Sequence, residues 1–269
     1  MSDCSRLPNC AYYRLEKIAQ SAVGKIMQEC YCHGVRQGQC ERLMYLNAHG
    51  EAPAEEMSPD KNLNAHTALY SDEMEGRIDR TMKALKKNGF EVKYFDQRDE
   101  AKDYILSQCR HASSISHGGS MTLEELGLFD QLIAAQLPFF NYSTPENRLR
   151  SLTAELYLTS SNAVTEDGRL VNIDGTGNRV AAISFGPKKV MVVVGTNKLV
   201  TTVEKGIERI RQISAPFNAM RLKKKVPCVV TGHCVDCQSP ERICRTTVIT
   251  DFPIPGRIEV ILIDESLGF

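Results

Sequence analysis

One uninterrupted apolar run, VMVVVG at residues 190–195, most limits the folds open to this chain. A strand that faces water on one side alternates apolar and polar residues, whereas a run without alternation is typical of a strand covered on both faces. Such strands occur in parallel sheets that carry helices on either side. We therefore predict that this run is a central strand of a parallel or mixed sheet.

The surrounding sequence gives strand and helix signals in the order expected for an α/β fold. Helical spacing and end signals predict helices over 71–88, 98–109, 145–159 and 201–213, and a further helix that begins at TLEEL. Strands are predicted at FEVKYF, SSIS, TTVIT and RIEVILID, and the Asp167-Gly168 pair predicts a hairpin turn between two short strands. The rhythm indicates a mostly parallel sheet with helical crossovers.

Composition narrows the class of protein. At 269 residues, with 42% hydrophobic and 25% charged residues, the chain is typical of a globular protein. Basic and acidic residues both number 33, so the charge favours neither a nucleic acid nor an anionic membrane as partner. No segment approaches the length of a membrane span, and ten cysteines without a secretion signal indicate reduced thiols. We expect a soluble cytoplasmic protein.

Two parts are predicted along the chain. Residues 1–70 form an N-terminal helical extension, with an amphipathic helix over about 11–30 and a long irregular linker after it. Residues 71–269 form the α/β domain, which includes a cysteine motif at 228–244.

The first candidate site is the turn SHGGSMTLEE, residues 116–125. Glycines after a strand let the backbone approach a ligand, and the helix start that follows offers free N–H groups to an anion. Gly118, Gly119 and Ser120 are the candidate ligand-binding residues, and the adjacent His117 is the histidine best placed to meet a ligand. The alternative is a tight strand-to-helix turn with a capping box at Thr122 and Glu125.

The second candidate site is TEDGRLVNIDGTGNR, residues 165–179. Backbone amides before a helix, together with an arginine, suit a carboxylate or phosphate. The candidate binding residues are Gly175, Thr176, Gly177, Asn178 and Arg179. Glu166 is a candidate nucleophile or base, and its alternative is a solvated side chain beside a hairpin turn.

The third candidate site is the cysteine motif. Cys228, Cys234, Cys237 and Cys244 include one C-x2-C pair, which can bring two thiolates to one metal ion or to one edge of a cluster. An iron–sulfur cluster and zinc both fit, while a redox dithiol and structural or free thiols are alternatives. The cysteines of the N-terminal extension, Cys4, Cys10, Cys30, Cys32 and Cys40, either complete such a site or are surface thiols.

Four stretches resemble the lactate-utilisation (LUD) domain family, in its cysteine-bearing bacterial branch. They are GGSMTLEELGL, the segment from SSNAVTEDG to VVVGTNKLV, TGHCVDCQSPERIC and RIEVILIDESLGF, and the likeness covers roughly residues 71–269. The resemblance implies a three-layer α/β/α fold with a mostly parallel sheet, similar to NagB, RpiA and CoA transferases. Both glycine loops match the family's loops, whereas the segment over 30–63 departs from it.

The resemblance also implies a function. Related members take part in oxidising L-lactate to pyruvate, alongside iron–sulfur and FAD-like oxidoreductase subunits. CoA transferases carry a nucleophilic glutamate in a short motif, to which the stretch from Thr165 to Gly168 is similar in shape. Related folds are often oligomeric, so a homo-oligomer is expected by analogy.

Three functional hypotheses remain open at this point. The first is a protein of lactate or related organic-acid utilisation that binds a small anionic metabolite within an iron–sulfur oxidoreductase system. The second is a stand-alone enzyme on a phosphorylated sugar or acyl-CoA with Glu166 as the catalytic residue. The third is a non-catalytic module that senses a metabolite.

Overall fold

The computed structural model describes the backbone of residues 62–269 and the side chains from Met74 onward. The helix predicted over 11–30, most of the linker and the cysteines from Cys4 to Cys40 lie outside the described residues. The chain divides into two units, Met1–Gly76 and Arg77–Phe269, and the features below belong to the second. One helix, Asn62–Lys87, runs across residue 70, where the boundary between the two parts was predicted.

Strands and helices alternate along the described residues. The strands are β1 (Glu91–Phe95), β2 (Ile115–His117), β3 (Leu156–Thr159), β4 (Ala163–Thr165), β5 (Leu170–Asp174), β6 (Lys189–Gly195), β7 (Leu199–Val200), β8 (Thr246–Thr250) and β9 (Ile258–Ile263). The helices are α1 (Asn62–Lys87), α2 (Arg98–Cys109), α3 (Met121–Glu125), α4 (Leu128–Ala134), α5 (Pro145–Ser151), α6 (Asn178–Ser184), α7 (Val203–Arg209), α8 (Ala215–Arg221) and α9 (Pro227–Thr231). A 3-10 turn covers Thr196–Lys198, and a π-helical turn covers Ile210–Ser214.

The main sheet has five strands in the order β1-β9-β6-β3-β2, and all four pairings are parallel. The apolar run lies in β6, the middle strand, where every residue from Val190 to Gly195 is buried. β9 is buried along its whole length as well, so the centre of the sheet is covered on both faces. The prediction of an α/β fold with a mostly parallel sheet is confirmed.

Helices α2, α3 and α4 pack on one face of this sheet. Their side chains form one buried cluster with alternate residues of the strands, among them Ile105, Leu123, Leu132, Met191 and Ile261. Because alternate residues of a strand point to the same face, this pattern fixes which side of the sheet the three helices cover.

A second sheet of four strands, in the order β7-β4-β5-β8, was not predicted as separate. β4 pairs with β7 in parallel, while β5 pairs antiparallel with both β4 and β8. The predicted hairpin at Asp167-Gly168 is the β4–β5 turn, where Gly168 has a positive φ of 85°. α7 covers this sheet, with Gly206 against Val171 and Ala163.

The helix predicted over 145–159 is wrong in its second half. Thr144 caps the start of α5, since its hydroxyl accepts the N–H of Asn147, and the helix ends at Ser151. Leu156–Thr159 is the fully buried strand β3, between β2 and β6. A strand of four residues gives too short a pattern to separate it from the end of a helix.

Candidate functional site

A cleft of about 440 Å³ lies at the carboxyl ends of the parallel strands. Its lining includes Gly119 and Ser120 after β2, Ser160 to Asn162 after β3, and Lys198 after β6. These three strands are neighbours in the sheet and parallel, so the loops that follow them meet at one edge. Open α/β sheets bind ligands at this edge, and the volume lies within the range of small-molecule sites.

The second glycine loop joins the same cleft from the end of β5. Gly175, Thr176, Asn178 and Arg179 line it, so the structure brings the two predicted loops together. Gly118 and Gly177 are not among the lining residues. The N–H of Gly118 donates to the carbonyl of Leu158 at 3.0 Å. The binding roles assigned to these residues stay predictions.

The N–H groups that open α6 already have an acceptor within the protein. Asp174 Oδ2 accepts from the backbone N–H of Arg179 at 3.0 Å and from that of Val180 at 3.2 Å. An aspartate at this position satisfies the free amides of a helix start and complements its positive end. An external anion would therefore meet the side chains and the loop around α6 rather than these two amides.

Arg179 has a similar internal role. Its guanidinium is nearly buried and donates to five acceptors at 2.6 to 3.2 Å: Asp174, Asn172 and Asn162 through their side chains, and Ser160 and Ile173 through their carbonyls. This uses every N–H of the guanidinium. Arg179 thus ties β5 to the loop after β3, and the cation predicted to receive a ligand is engaged within the wall of the cleft.

Other cations supply the charge of the cleft. Arg148, Arg221 and Lys224 line it, whereas Asp174, which Arg179 neutralises, is the one acidic side chain in the lining formed by the described residues. The side chain of Lys224 has no ion-pair partner in the described part of the chain, and Arg221 lies 3.8 Å from Glu124 outside the lining. The cleft is therefore electropositive and suited to a carboxylate or a phosphate.

Lys198 is the residue that the sequence analysis missed. It is 3% exposed, and its Nζ lies 2.6 Å from Thr122 Oγ1 and 2.9 Å from Ser160 Oγ. Burial holds the pKa of Lys198 well below its usual 10.5, and the positive charge of Arg209 lowers it further. A sequence signal existed, because a lysine three residues beyond the central buried strand falls at the edge where ligands bind.

Neither His117 nor Glu166 belongs to the cleft lining, although His117 packs against Tyr142, which does. His117 packs among the rings of Phe129, Phe139 and Tyr142, and its burial lowers its pKa to about 4. Glu166 receives Arg77 Nε at 2.6 Å and Arg80 at 3.2 Å, so it stands in an ion-pair cluster at the hairpin turn. These ion pairs engage the Glu166 carboxylate, and the catalytic role predicted for it stays a prediction.

The cysteine motif borders the cleft. Cys244 and Ile243 belong to the lining, and the backbone of Ile243 approaches Gly175 so closely that a Cβ at residue 175 would lie 3.2 Å from it. The N–H of Arg245 also donates to the carbonyl of Asp174 at 2.8 Å. The absence of a side chain at Gly175 thus allows the cysteine segment to pack against the second loop.

The four cysteines are free thiols, and the other three act on Cys228. The pKa of Cys228 is raised, first by burial and then by the charges of Cys237, Cys244 and Cys234. The N–H of Asp236 donates to Cys234 Sγ at 3.4 Å, within the C-x2-C pair. Arg242 fixes the segment by donating to the carbonyls of Cys237 and Cys244.

The four thiols do not form a coordination shell in this structure. Among the described residues, no three His, Cys, Asp or Glu side chains are close enough together to hold a metal ion. The donor set itself, four thiols of which one accepts an N–H bond, fits zinc or an iron–sulfur cluster. Metal binding would have to draw these side chains together and remove their protons.

The chain is distantly similar to solved structures. A solved DUF162 family protein from Deinococcus radiodurans is 14% identical, over 71% of this chain and 98% of that one, with a TM-score of 0.47. The eIF2B delta chain from Chaetomium thermophilum is 16% identical, over 64% and 66%, with a TM-score of 0.32. Likenesses of this strength say nothing of function. The comparison with curated proteins gave no match.

No helix among the described residues combines the length and apolar character that a membrane crossing requires. The model of the LUD domain family matches residues 78–263, which is more than half of the chain and includes both glycine loops and the cysteine motif. The chain therefore belongs to the LUD domain family.

Proposed function

We propose that the protein binds a small organic acid of the lactate and pyruvate kind in the electropositive cleft and takes part in its oxidative utilisation. Family membership supports a role related to lactate utilisation. The observation that carries the proposal is the meeting of Gly119, Gly175, Lys198 and Cys244 in one cleft. This arrangement puts a cationic binding surface beside Cys244, one of the four thiols of the cysteine motif.

The cationic residues have separate tasks in this proposal. Arg221 and Lys224, which are half-buried in the lining, attract the carboxylate, while Arg179 holds the wall in place through its internal hydrogen bonds. Asn162, also in the lining, offers its side-chain N–H groups to a hydroxyl or carbonyl oxygen, since its Oδ1 already accepts from Ile173 and Arg179. Few polar groups placed among apolar residues are what fix the orientation of a small ligand.

The cysteine motif is the proposed metal site. Cys228, Cys234, Cys237 and Cys244 would hold an iron–sulfur cluster, with zinc as the alternative. An iron–sulfur cluster supplies one-electron transfer, and its partners in this proposal are iron–sulfur and FAD-like oxidoreductase subunits. The N–H bond from Asp236 and the contacts of Arg242 would orient the ligands from outside the metal.

Binding of organic acids tests the cleft. Isothermal titration with L-lactate and pyruvate should show binding that the Arg221→Met and Lys224→Met double variant weakens about tenfold or more, because two charge-assisted contacts are lost. Lys188→Met is the matched control, since Lys188 is an exposed lysine outside the cleft, and it should bind as the wild type does. Equal affinity in all three proteins, or no binding to the wild type, would contradict the proposal.

A further inference from the structure

The surroundings of Lys198 pose a question that anion binding leaves open. A lysine that only attracts a carboxylate works best charged and partly exposed, whereas Lys198 is 3% exposed and lies against two hydroxyl groups. Burial of this kind favours the neutral amine, because removal from water costs the charged form more free energy than the neutral form. The relevant feature is therefore the hydrogen-bond inventory around its Nζ.

The two hydroxyl groups donate their own hydrogens to backbone carbonyls. Thr122 Oγ1 donates to the carbonyl of Leu267 at 3.2 Å, and Ser160 Oγ donates to the carbonyl of Ser161 at 3.2 Å. Both oxygens are then left to accept from Lys198 Nζ, at 2.6 and 2.9 Å. A neutral amine has two N–H groups and one lone pair, so these bonds use both hydrogens and leave the lone pair unbonded.

The charged groups near Lys198, taken together, also favour its neutral form. Arg209 and Arg179 are the positive neighbours, and they disfavour a further cation. Glu125 is the negative neighbour and acts in the opposite direction; it also accepts the N–H of Gly268 at 2.9 Å. Burial remains the largest influence on the pKa of Lys198, which is lowered well below 10.5.

We propose that Lys198 is a nucleophilic amine that forms an imine with a small anionic carbonyl compound, such as a 2-oxo acid, bound in the cleft. The nitrogen lone pair attacks the carbonyl carbon, which forms the C–N bond. The carbonyl oxygen then leaves as water with the two amine hydrogens, so that one carbonyl compound and one amine give one imine and one water. Desolvated lysines perform this chemistry in other enzymes. The choice of a carboxylate-bearing carbonyl rests on the proposed function.

Reductive trapping tests this directly on the wild-type protein. We would incubate it at pH 7.4 with glyoxylate, a small anionic aldehyde, or with pyruvate, add cyanoborohydride, and locate the adducts by peptide mass mapping. Lys198 should be modified roughly tenfold or more faster than exposed lysines such as Lys188, because only about one exposed amine in a thousand is neutral at this pH. Reduced adducts on Lys188 and other exposed lysines, without an adduct on Lys198, would overturn the inference.

Variants separate this inference from the proposed function. Lys198→Met should lose the Lys198 adduct, with folding checked by circular dichroism, and Lys188→Met, at an exposed lysine outside the cleft, should keep it. If lactate binds in the titration but no adduct forms on Lys198, anion binding stands and the nucleophilic role of Lys198 is rejected. An adduct on Lys198 in a protein that binds no lactate or pyruvate reversibly would support the nucleophile and reject the proposed ligand class.

Discussion

At the scale of single residues, Arg179 shows how one side chain shapes the cleft through its internal hydrogen bonds. Its guanidinium bridges β5, the start of α6 and the loop after β3, and it neutralises the nearly buried carboxylate of Asp174. Asp174 in turn caps α6 through two backbone N–H groups. The pair therefore fixes the relative positions of the second glycine loop and the Ser160 loop.

Arg179→Met should cost about 3 to 5 kcal/mol of folding free energy, because it leaves the carboxylate of Asp174 buried without its partner. Urea denaturation measures this loss. The double variant Arg179→Met and Asp174→Asn should recover part of it, since no unpaired charge then remains. A loss below about 1 kcal/mol in the single variant, the level of a surface ion pair, would contradict the role assigned to Arg179.

At the scale of elements, the end of α1 is attached to the β4–β5 turn. Arg77 and Arg80 pair with Glu166, and Asn88 donates to the carbonyls of Asp167 and Gly168. Gly168 is needed here, because a Cβ at this position would lie 2.5 Å from the backbone of α1 as well as requiring a positive φ. The motif that resembles a catalytic glutamate thus holds a helix on a hairpin.

Glu166→Gln should leave lactate and pyruvate affinity unchanged within about twofold and cost only about 1 kcal/mol or less in stability, as expected for a partly exposed ion pair. Calorimetric titration and urea denaturation check the two parts. Asp167→Asn, at the more exposed neighbour in the same turn, is the control. Loss of ligand binding or turnover in Glu166→Gln alone would instead favour the hypothesis of a stand-alone enzyme with a glutamate nucleophile.

The elements differ in how far the sequence determines them. VMVVVG was predictable as the central strand because its lack of alternation has one simple explanation, and the hairpin was predictable from Asp167-Gly168. The short strand β3 was predicted as helix, since a strand of four residues close to the end of a true helix carries little periodicity. The separate second sheet depends on strand pairing, which local patterns do not encode.

The site was predictable only in its local parts. Both glycine loops and the cysteines are contiguous in sequence, so their patterns could be found. Lys198, Ser160 and Arg221 join them only because β2, β3 and β6 are neighbours and because α8 lies close to the loops. The internal use of Arg179 was also out of reach, since its acceptors come from two separate segments, the loop after β3 and the strand β5.

At the scale of the whole molecule, the carboxyl edge of the parallel sheet collects three kinds of chemistry. The cationic lining suits an organic acid, Lys198 adds a buried amine, and Cys244 brings the cysteine motif to the same wall. Contact between Gly175 and Ile243 means that the position of the cysteine segment and that of the second loop depend on each other. Ligand binding in the cleft should therefore change the spectra of a metal held at the cysteines.

The most direct test is metal analysis with absorption and electron paramagnetic resonance spectra of protein purified without oxygen, recorded with and without lactate or pyruvate. The account predicts bound iron and sulfide with an absorption band near roughly 400 nm. The ligand should shift these spectra. The metal should be lost in the Cys234→Ser and Cys237→Ser double variant and retained in Cys109→Ala, whose thiol lies in the core. A metal-free wild type, metal retained in the double variant, or spectra indifferent to the ligand would contradict it.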